Sequence, residues 1–193
     1  MFRVFREREQ VEKEAGERTA ILTEQASTDA LTGIANRRVF DAQIRRDWAI
    51  SERTQRPLSL ILIDVDYFKQ FNDQHGHLEG DDCLRAVADV LVACVKRPGD
   101  VVARYGGEEF AVILSDTDAT GAQRVAENVR CSVEALAIQH GLSEVAAVVA
   151  VSAGTATTEH VSTGELIDLV RAADTALYEA KAAGRNLVTC VAV

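Results

Sequence analysis

The chain of 193 residues is long enough for one domain with a hydrophobic core and a short extension. Hydrophobic residues make up 47% of the sequence and charged residues 26%, which is typical of a globular protein, and no apolar run is long enough to cross a membrane. The formal net charge of −9 argues against binding to nucleic acid or to an anionic membrane surface, so an anionic substrate would need metal ions and a few local cations.

Residues 1–26 are predicted to form a separate signalling helix. The segment is highly charged and lacks the apolar region of a secretory signal. We expect it to pair with a copy of itself as a two-stranded coiled coil, and the alternative is a disordered or added tail. The apolar residues that fit the a and d positions of a heptad repeat are Val4, Val11, Ala15 and Leu22.

The four cysteines lack the spacing of a metal site or a redox motif, because no two of them form a Cys-x-x-Cys pair. Cys83 and Cys94 fall on the same face of a predicted helix, which favours a packing role. We therefore expect reduced core thiols and a cytoplasmic protein.

The first half of the domain is predicted to contain two helices on either side of a buried strand. One helix begins after Asn36, a candidate N-cap, and ends before Pro57. Residues 58–63 form a nearly continuous apolar run, which is typical of a strand buried on both faces, and Asp64-Val65-Asp66 follow it. The second helix is predicted over residues 80–95, after a loop.

The second half is predicted to contain a hairpin, two helices and two further strands. Gly106-Gly107 connect the strands of the hairpin, because glycine reaches positive φ angles at little cost. Gly141 and Gly184 mark the ends of the two helices. The predicted strands are residues 100–105, 110–114, 145–155 and 187–193, and the predicted helices are residues 119–139 and 164–183.

The order of elements from residue 58 predicts an α+β fold of the ferredoxin-like βαββαβ type. In this fold the first and third strands are antiparallel neighbours, so Asp64 and Asp66 should lie beside Glu108 and Glu109. Clustered carboxylates repel one another unless a cation lies between them or one of them is protonated. Oxygen ligands suit Mg²⁺, and the alternative is an ordinary acidic surface cluster.

Several residues near this corner are candidates for binding a nucleotide. Lys69, Lys181 and Arg185 are candidates for contacts with triphosphate oxygens, although each could be a solvated surface charge. Asn72 and Asp81 could be turn and cap residues. A carboxylate and an amide can also read a guanine base, since the carboxylate accepts from N1–H and the 2-amino group.

Six motifs in this order resemble those of the GGDEF family of diguanylate cyclases, from about residue 27 to the C-terminus. The spelling Gly106-Gly107-Glu108-Glu109-Phe110 is one of the forms associated with activity. The motifs are Asp29-x-Leu31-Thr32-Gly33-x-x-Asn36-Arg37-Arg38; Asp64-Val65-Asp66-Tyr67-Phe68-Lys69 with Asn72-Asp73; Gly76-His77-x-x-Gly80-Asp81; Arg104-Tyr105-Gly106-Gly107-Glu108-Glu109-Phe110; Val151-Ser152-x-Gly154; and Asp174-x-Ala176-Leu177-Tyr178-x-Ala180-Lys181-x-x-Gly184-Arg185-Asn186.

The resemblance implies a catalytic domain over residues 27–193, with a fold like the palm of polymerases and nucleotidyl cyclases. It implies condensation of two GTP molecules into cyclic di-GMP, with release of two pyrophosphates. The implied cofactor is Mg²⁺, with two ions per GTP site and Mn²⁺ as a substitute. Because each domain presents one GTP, the implied active form is a homodimer. An upstream sensor domain outside this chain is also implied, whereas nucleic-acid and membrane partners are not.

The resemblance also assigns roles to individual residues. Asp64, the Val65 carbonyl and Glu108 are similar to the family's metal ligands, with Glu109 contributing to the second ion. Glu108 is the residue implied in activating the 3′-hydroxyl, and Glu109 and Lys69 are the other implied catalytic residues. The residues implied in binding the guanine are Asn72 and Asp81, with His77 near the nucleotide. Those implied in holding the triphosphate are Lys69, Lys181, Arg185 and the main chain of Tyr67 and Phe68. Gly106 and Gly107 are implied in letting the nucleotide approach the backbone.

Arg97-Pro98-Gly99-Asp100 matches the Arg-x-x-Asp pattern of the family's product-inhibition site. The alternative is a simple helix stop, which Pro-Gly already explains. The candidates for a second arginine in that site are Arg124 and Arg130.

Three alternative functions remain open at the level of sequence. A degenerate domain could be a receptor for cyclic di-GMP or GTP, although the intact Asp64, Glu108, Glu109 and Lys69 argue against it. A cyclase with a different product is a second alternative, and Asn72 and Asp81 favour guanine. A helical interaction module built on residues 1–25 is the third, and it would leave the acidic corner without a reason.

Overall fold

A five-stranded sheet forms the centre of the structure, a computed structural model that describes residues 27–158 and 164–192. The strands are β1 (Leu58–Val65), β2 (Val101–Gly106), β3 (Glu109–Ser115), β4 (Val151–Thr158) and β5 (Val188–Ala192). Their order across the sheet is β2-β3-β1-β4-β5. β1 is antiparallel to both β3 and β4, and β5 is parallel to β4. This order confirms the predicted α+β fold of the ferredoxin-like type, extended by β5.

Helices cover both faces of this sheet. They are α1 (Arg37–Thr54), α2 (Phe68–His75), α3 (His77–Cys94), α4 (Ala119–Glu134) and α5 (Leu166–Ala182). Side chains of α2, α3 and α4 form one hydrophobic core with the sheet, and those of α1 and α5 form a second core on the opposite face. No helix among the described residues is long and apolar enough to cross a membrane.

β1 belongs to both cores, as its unbroken apolar sequence predicted. Ile61, Ile63 and Val65 pack in the core of α2, α3 and α4, whereas Leu60 and Leu62 pack against α1 and α5. The alternation follows from the strand's two-residue side-chain period. β1 is therefore packed against helices on both faces of the sheet.

The predicted cap of α1 is confirmed. The Asn36 side chain accepts a hydrogen bond of 3.1 Å from the Val39 backbone N–H, which satisfies one of the free donors at the helix start. The Gly106-Gly107 turn between β2 and β3 is also confirmed, with Gly107 at a φ of +54°.

The predicted loop before the second helix is wrong, because residues 68–75 form α2. Gly76, with a φ of 89°, ends α2 and begins α3 at once. The helix is only eight residues long and rich in polar residues, so its two buried aromatic residues, Phe68 and Phe71, are a weak sequence signal.

The boundaries of the third predicted helix and the following strand also differ. α4 ends at Glu134 rather than residue 139, and the next strand begins at Val151 rather than residue 145. Residues 138–149 form a small hairpin-like loop, in which the Val149 N–H donates to the Ile138 carbonyl. This loop satisfies its backbone groups locally, so neither regular element extends through it.

The cysteine prediction is correct in part. All four cysteines are free, and Cys83 is buried, which raises the pKa of its thiol to about 11. Cys131 and Cys190 are exposed, so they are not core thiols. The predicted helix of residues 1–26 lies outside the described residues.

Gly154 in β4 provides a test of the packing between β4 and α5. A Cβ at this position would lie 2.1 Å from the Leu177 N and 2.3 Å from the Ala173 O, both backbone atoms of α5. Gly154→Ala should lower the free energy of unfolding by about 3 kcal/mol or more, because strand and helix must move apart. Urea unfolding followed by circular dichroism measures this.

The matched control is Gly164→Ala, since no atom lies within 4 Å of a Cβ built there. We expect this control to change stability by less than about 0.5 kcal/mol. Equal unfolding midpoints for the two variants would contradict the described packing.

Candidate functional site

The acidic corner forms where β1 ends beside the start of β3. Asp64 lies directly opposite Glu109, and the Val65 N–H donates to the Glu108 carbonyl over 3.3 Å. The Asp64 carboxylate also forms an ion pair with the Lys181 ammonium of α5, at 2.8 Å. The topology thus brings Asp64, Glu108, Glu109 and Lys181 together, as the sequence predicted for the carboxylates.

Asp64 is the carboxylate of this corner whose pKa is raised. Burial raises the pKa of Asp64 to about 6, the Lys181 ammonium opposes this rise, and Glu108 and Glu109 add to it. One lysine therefore does not fully offset the burial of Asp64 and the charge of its neighbours, and an additional cation at this corner would stabilise the ionised carboxylate.

Asp66 has a different, structural position. It is 1% exposed, and its two oxygens accept hydrogen bonds from the Ser152 hydroxyl at 2.7 Å and from the Asn186 N–H at 2.9 Å. Burial raises the pKa of Asp66, and these hydrogen bonds oppose the rise. Asp66 fastens the end of β1 to β4 and to the turn after α5, so the expectation that it joins the cluster is wrong.

The donor set at this corner suits a hard cation that also binds substrate phosphates. Within residues 27–158 and 164–192, no three histidine, cysteine, aspartate or glutamate side chains are grouped so as to hold an ion alone. Mg²⁺ in nucleotide sites takes one or two carboxylates and completes its shell with water and phosphate oxygens. Asp64 with its raised pKa and the neighbouring Glu108 fit that pattern.

A pocket of about 500 Å³ lies next to the corner, between α2, α3 and the β2–β3 turn. Most of the residues predicted to bind a nucleotide line it, together with Asp73, Leu84 and Arg104, which were not predicted to do so. The lining residues are Phe68, Lys69, Asn72, Asp73, His77, Asp81, Leu84, Arg104, Gly107 and Glu108.

The break between α2 and α3 positions the two predicted guanine-binding residues. Asn72 lies on α2 and Asp81 on α3, and Gly76 folds the two helices together. A Cβ on Gly80 would lie 1.8 Å from Asn72 Oδ1, so only glycine leaves room for this amide. Asn72 Oδ1 is buried and has no hydrogen-bond partner among the described residues. This oxygen is therefore packed against Gly80 and is not open to the pocket.

The predicted phosphate-binding residues divide into two groups. Lys69 lines the pocket, whereas Lys181 is paired with Asp64. The Arg185 guanidinium lies 4.4 Å from the centre of the Tyr67 ring and donates to the Tyr67 hydroxyl at 3.2 Å. Arg185 and Lys181 thus already have protein partners in this structure and would have to exchange them to contact a ligand.

Arg104 supports the glycine turn, a role that the sequence analysis missed. Its guanidinium donates two hydrogen bonds, of 2.9 and 2.8 Å, to the Gly107 carbonyl and a third, of 3.0 Å, to Asp29. Asp29 also accepts from Thr32, and these hydrogen bonds lower the pKa of Asp29 although burial alone would raise it. The available signal was that Asp29 and Arg104 each stand in one of the motifs that resemble the family's.

The Arg97–Asp100 loop lies at the end of β2 that is distant from the glycine turn. The Asp100 N–H donates to the Arg97 carbonyl at 3.1 Å, and the Arg97 guanidinium donates to Thr117 Oγ1 at 2.8 Å. Burial raises the pKa of Asp100, and the Arg97 charge opposes this rise. Of the two candidate second arginines, Arg130 is paired with glutamates of α4, whereas Arg124 is exposed.

The raised pKa of Asp64 predicts how stability depends on pH. Its value of about 6 lies above the ordinary 3.8, so the folded protein binds this proton more tightly than the unfolded chain does. Stability from this group therefore falls as pH rises from about 4 to about 6. Asp64→Asn should raise the free energy of unfolding at pH 7.5 by about 1–3 kcal/mol, with no gain near pH 4.

Urea unfolding without divalent ions, across this pH range, measures the effect. Asp73→Asn is the control, because Asp73 is an exposed carboxylate of α2. Parallel pH profiles for wild type and Asp64→Asn would disprove the assignment.

Comparison with known proteins identifies the family. The family model described as "Diguanylate cyclase, GGDEF domain" matches residues 26–187. The diguanylate cyclase VdcA of Vibrio cholerae is 38% identical over 172 residues, which cover 89% of this chain and 49% of VdcA. The chain spans less than half the length of the curated relatives it matches.

Solved structures agree with this result. The coiled coil and GGDEF domain of DgcB from Caulobacter crescentus, in complex with c-di-GMP, superposes with a TM-score of 0.87 at 33% identity, covering 98% of this chain and 97% of that one. The active GGEEF domain of a diguanylate cyclase from Vibrio cholerae gives a TM-score of 0.71 at 34% identity, covering 81% and 97%. With the acidic corner, the pocket and the glycine turn in place, the chain belongs to the GGDEF family of diguanylate cyclases.

Proposed function

We propose that this chain is the catalytic part of a diguanylate cyclase, which condenses two GTP molecules into cyclic di-GMP and releases two pyrophosphates. The observation that carries the proposal is the pocket of about 500 Å³, in which Asn72 and Asp81 share one space with Lys69 and Glu108. VdcA, a relative named as a diguanylate cyclase, and DgcB, solved with c-di-GMP, support it.

The guanine base would bind between α2 and α3. The Asp81 carboxylate would accept from guanine N1–H and the 2-amino group, and the Asn72 amide NH₂ would donate to O6 or N7 of the base. His77 lines the same pocket. Adenine presents an amino group at position 6 and no N1–H, so this pair of residues favours guanine.

The triphosphate would lie between the pocket and the acidic corner. Lys69 and the main chain of Tyr67 and Phe68 would contact its oxygens. Lys181 is paired with Asp64 in this structure, and we expect its ammonium to move to the phosphates when GTP binds, as we expect for Arg185. Gly106 and Gly107 leave open space beside the turn, since no atom lies within 4 Å of a Cβ built on either residue.

Asp64, the Val65 carbonyl and Glu108 would hold one divalent ion, and Glu109 would contribute to a second, with Mg²⁺ as the expected metal and Mn²⁺ as a substitute. Bound there, the two ions would offset negative charge on the α-phosphate and on the departing pyrophosphate.

In the reaction, the 3′-oxygen of one GTP forms a bond to the α-phosphorus of the other, and the bond from that phosphorus to pyrophosphate breaks. Glu108 would take the hydroxyl proton. The same step, repeated with the roles of the two nucleotides exchanged, closes the ring.

The proposed active form is a homodimer, because each domain presents one GTP and the two nucleotides must face each other. Residues 1–26 would raise the dimer population as a coiled-coil signalling helix, linked to an upstream sensor in the cytoplasm. The heptad pattern supports this, and the DgcB structure, described as coiled coil and GGDEF domain, covers 98% of this chain.

Chromatography of the products formed from GTP and Mg²⁺ tests the proposal. Wild type should form cyclic di-GMP, with a rate per protein molecule that rises with protein concentration. Asp64→Ala and Glu109→Ala should each reduce synthesis by at least about a hundredfold while the protein stays folded, because removing one carboxylate relieves repulsion in the cluster.

Asp89→Ala is the control, since Asp89 is an exposed carboxylate of α3 that does not line the pocket. Folded Asp64→Ala protein with turnover near wild type would refute the two-metal assignment. Wild-type protein that binds GTP without converting it would favour a receptor.

We also propose that cyclic di-GMP inhibits the enzyme through Arg97 and Asp100. The Pro98-Gly99 turn holds both residues on one loop, where a guanidinium and a carboxylate can bind the phosphate and guanine groups of the product. Occupancy of this loop would hold two domains in an arrangement in which their GTP sites do not face each other.

Arg97→Ala should leave the initial rate nearly unchanged and weaken inhibition by added cyclic di-GMP at least about tenfold, because the bidentate contact is lost. Initial rates against product concentration measure this, with the exposed neighbour Lys96→Ala as control. Identical inhibition curves for all three proteins would reduce the loop to a helix stop.

A further inference from the structure

His140 is a buried histidine that the proposed reaction does not use. It is 1% exposed and lies in the loop of residues 138–149, where its backbone N–H donates to the Ala147 carbonyl at 2.9 Å. Its ring meets the Phe71 ring of α2 edge to face, with centroids 5.4 Å apart. The loop therefore holds the imidazole against α2 from outside the pocket.

The imidazole contacts the backbone at the start of α2. His140 Nε2 lies 3.1 Å from the carbonyl oxygen of Tyr67. Because a carbonyl oxygen only accepts, Nε2 carries the proton and donates it. Nδ1 is then an acceptor, and it has no hydrogen-bond partner among the described residues. Burial also lowers the pKa of His140, in keeping with a neutral ring.

The carbonyl that His140 contacts is part of the peptide between Tyr67 and Phe68. In a trans peptide the C=O and the N–H point in opposite directions, so fixing the Tyr67 carbonyl also fixes the Phe68 N–H. The same carbonyl accepts the first helical hydrogen bond of α2, from the Phe71 N–H at 3.0 Å. The Phe68 N–H is one of the free donors at the helix start, which favour anions.

This peptide needs external support. Tyr67 has a φ of 56° and a ψ of 29°, in the left-handed region that residues other than glycine rarely adopt. The Tyr67 side chain makes no capping hydrogen bond to α2. Arg185 contacts the Tyr67 ring on one side, and His140 contacts its carbonyl on the other. Two residues distant in sequence thus hold Tyr67, Arg185 through the side chain and His140 through the backbone carbonyl.

We propose that His140 is a positioning residue for the phosphate groups of the substrate: its hydrogen bond to the Tyr67 carbonyl directs the Phe68 N–H and the first turn of α2 toward them. This inference rests on the proposed function and adds a residue to its site. His140 acts through the peptide and does not touch the nucleotide.

A matched pair of variants separates the hydrogen bond from the volume of the ring. In His140→Gln the terminal amide reaches about as far as Nε2 and can still donate to Tyr67. In His140→Asn the same amide is one carbon shorter and cannot reach it. His75→Asn is the control, because His75 also packs on Phe71, with centroids 4.6 Å apart, but is not hydrogen-bonded to Tyr67.

The ligands are 3′-deoxy-GTP, which carries the triphosphate but cannot condense, and guanosine, which lacks phosphate. Binding to the full chain is measured with Mg²⁺. His140→Asn should weaken binding of 3′-deoxy-GTP about five- to tenfold and leave guanosine binding within about twofold, as expected for one lost hydrogen bond. His140→Gln and His75→Asn should stay within about twofold of wild type for both ligands. With GTP, KM of His140→Asn should rise more than kcat falls.

Unchanged binding of 3′-deoxy-GTP by His140→Asn would overturn the inference, and so would a parallel loss of both ligands, which would make His140 a support of the pocket as a whole. Wild type that binds 3′-deoxy-GTP but forms no cyclic di-GMP from GTP would overturn the cyclase proposal and leave the variant comparison to decide the role of His140. Wild type that binds neither ligand would overturn both.

Discussion

The antiparallel pairing of β1 with β3 is the constraint on which the site depends. It places Asp64 opposite Glu109, and a slip of one residue would send every side chain of β1 to the other face of the sheet. Packing forbids that slip, since Ile61 and Ile63 fill one core and Leu60 and Leu62 the other. The hydrophobic cores thus hold these carboxylates close together, and burial, with a smaller contribution from Glu108 and Glu109, raises the pKa of Asp64.

The parts of the fold that follow from local patterns could be predicted from the sequence. The apolar run of β1, the cap at Asn36 and the Gly106-Gly107 turn each have a short-range cause, and each is present. α2 was missed because it is short and mostly polar. The predicted strand began too early, at residue 145, because residues 145–149 are all apolar, whereas hydrogen bonds within the loop of residues 138–149 decide their structure.

The candidate site divides in a similar way. Motif positions predicted most of the residues that line the pocket, but they did not predict what holds those residues in place. Asp66 was expected among the clustered carboxylates and is instead bonded to Ser152 and Asn186, and Arg104 supports the glycine turn from Asp29. These partners are separated by 75 to 120 positions in the chain, so no local pattern connects them.

The absence of a side chain at Gly154 has a consequence for how such a domain can be controlled. The backbone of α5 packs directly on β4 at Gly154, so the helix cannot slide along the strand or roll across it without a clash between backbone atoms. Lys181, near the end of that helix, therefore keeps a fixed reach to Asp64 on the adjacent strand. In the proposed dimer, the sheet and α5 of each domain would therefore move as one rigid unit. An incoming signal would then change how often, and at what angle, the two nucleotide sites face each other.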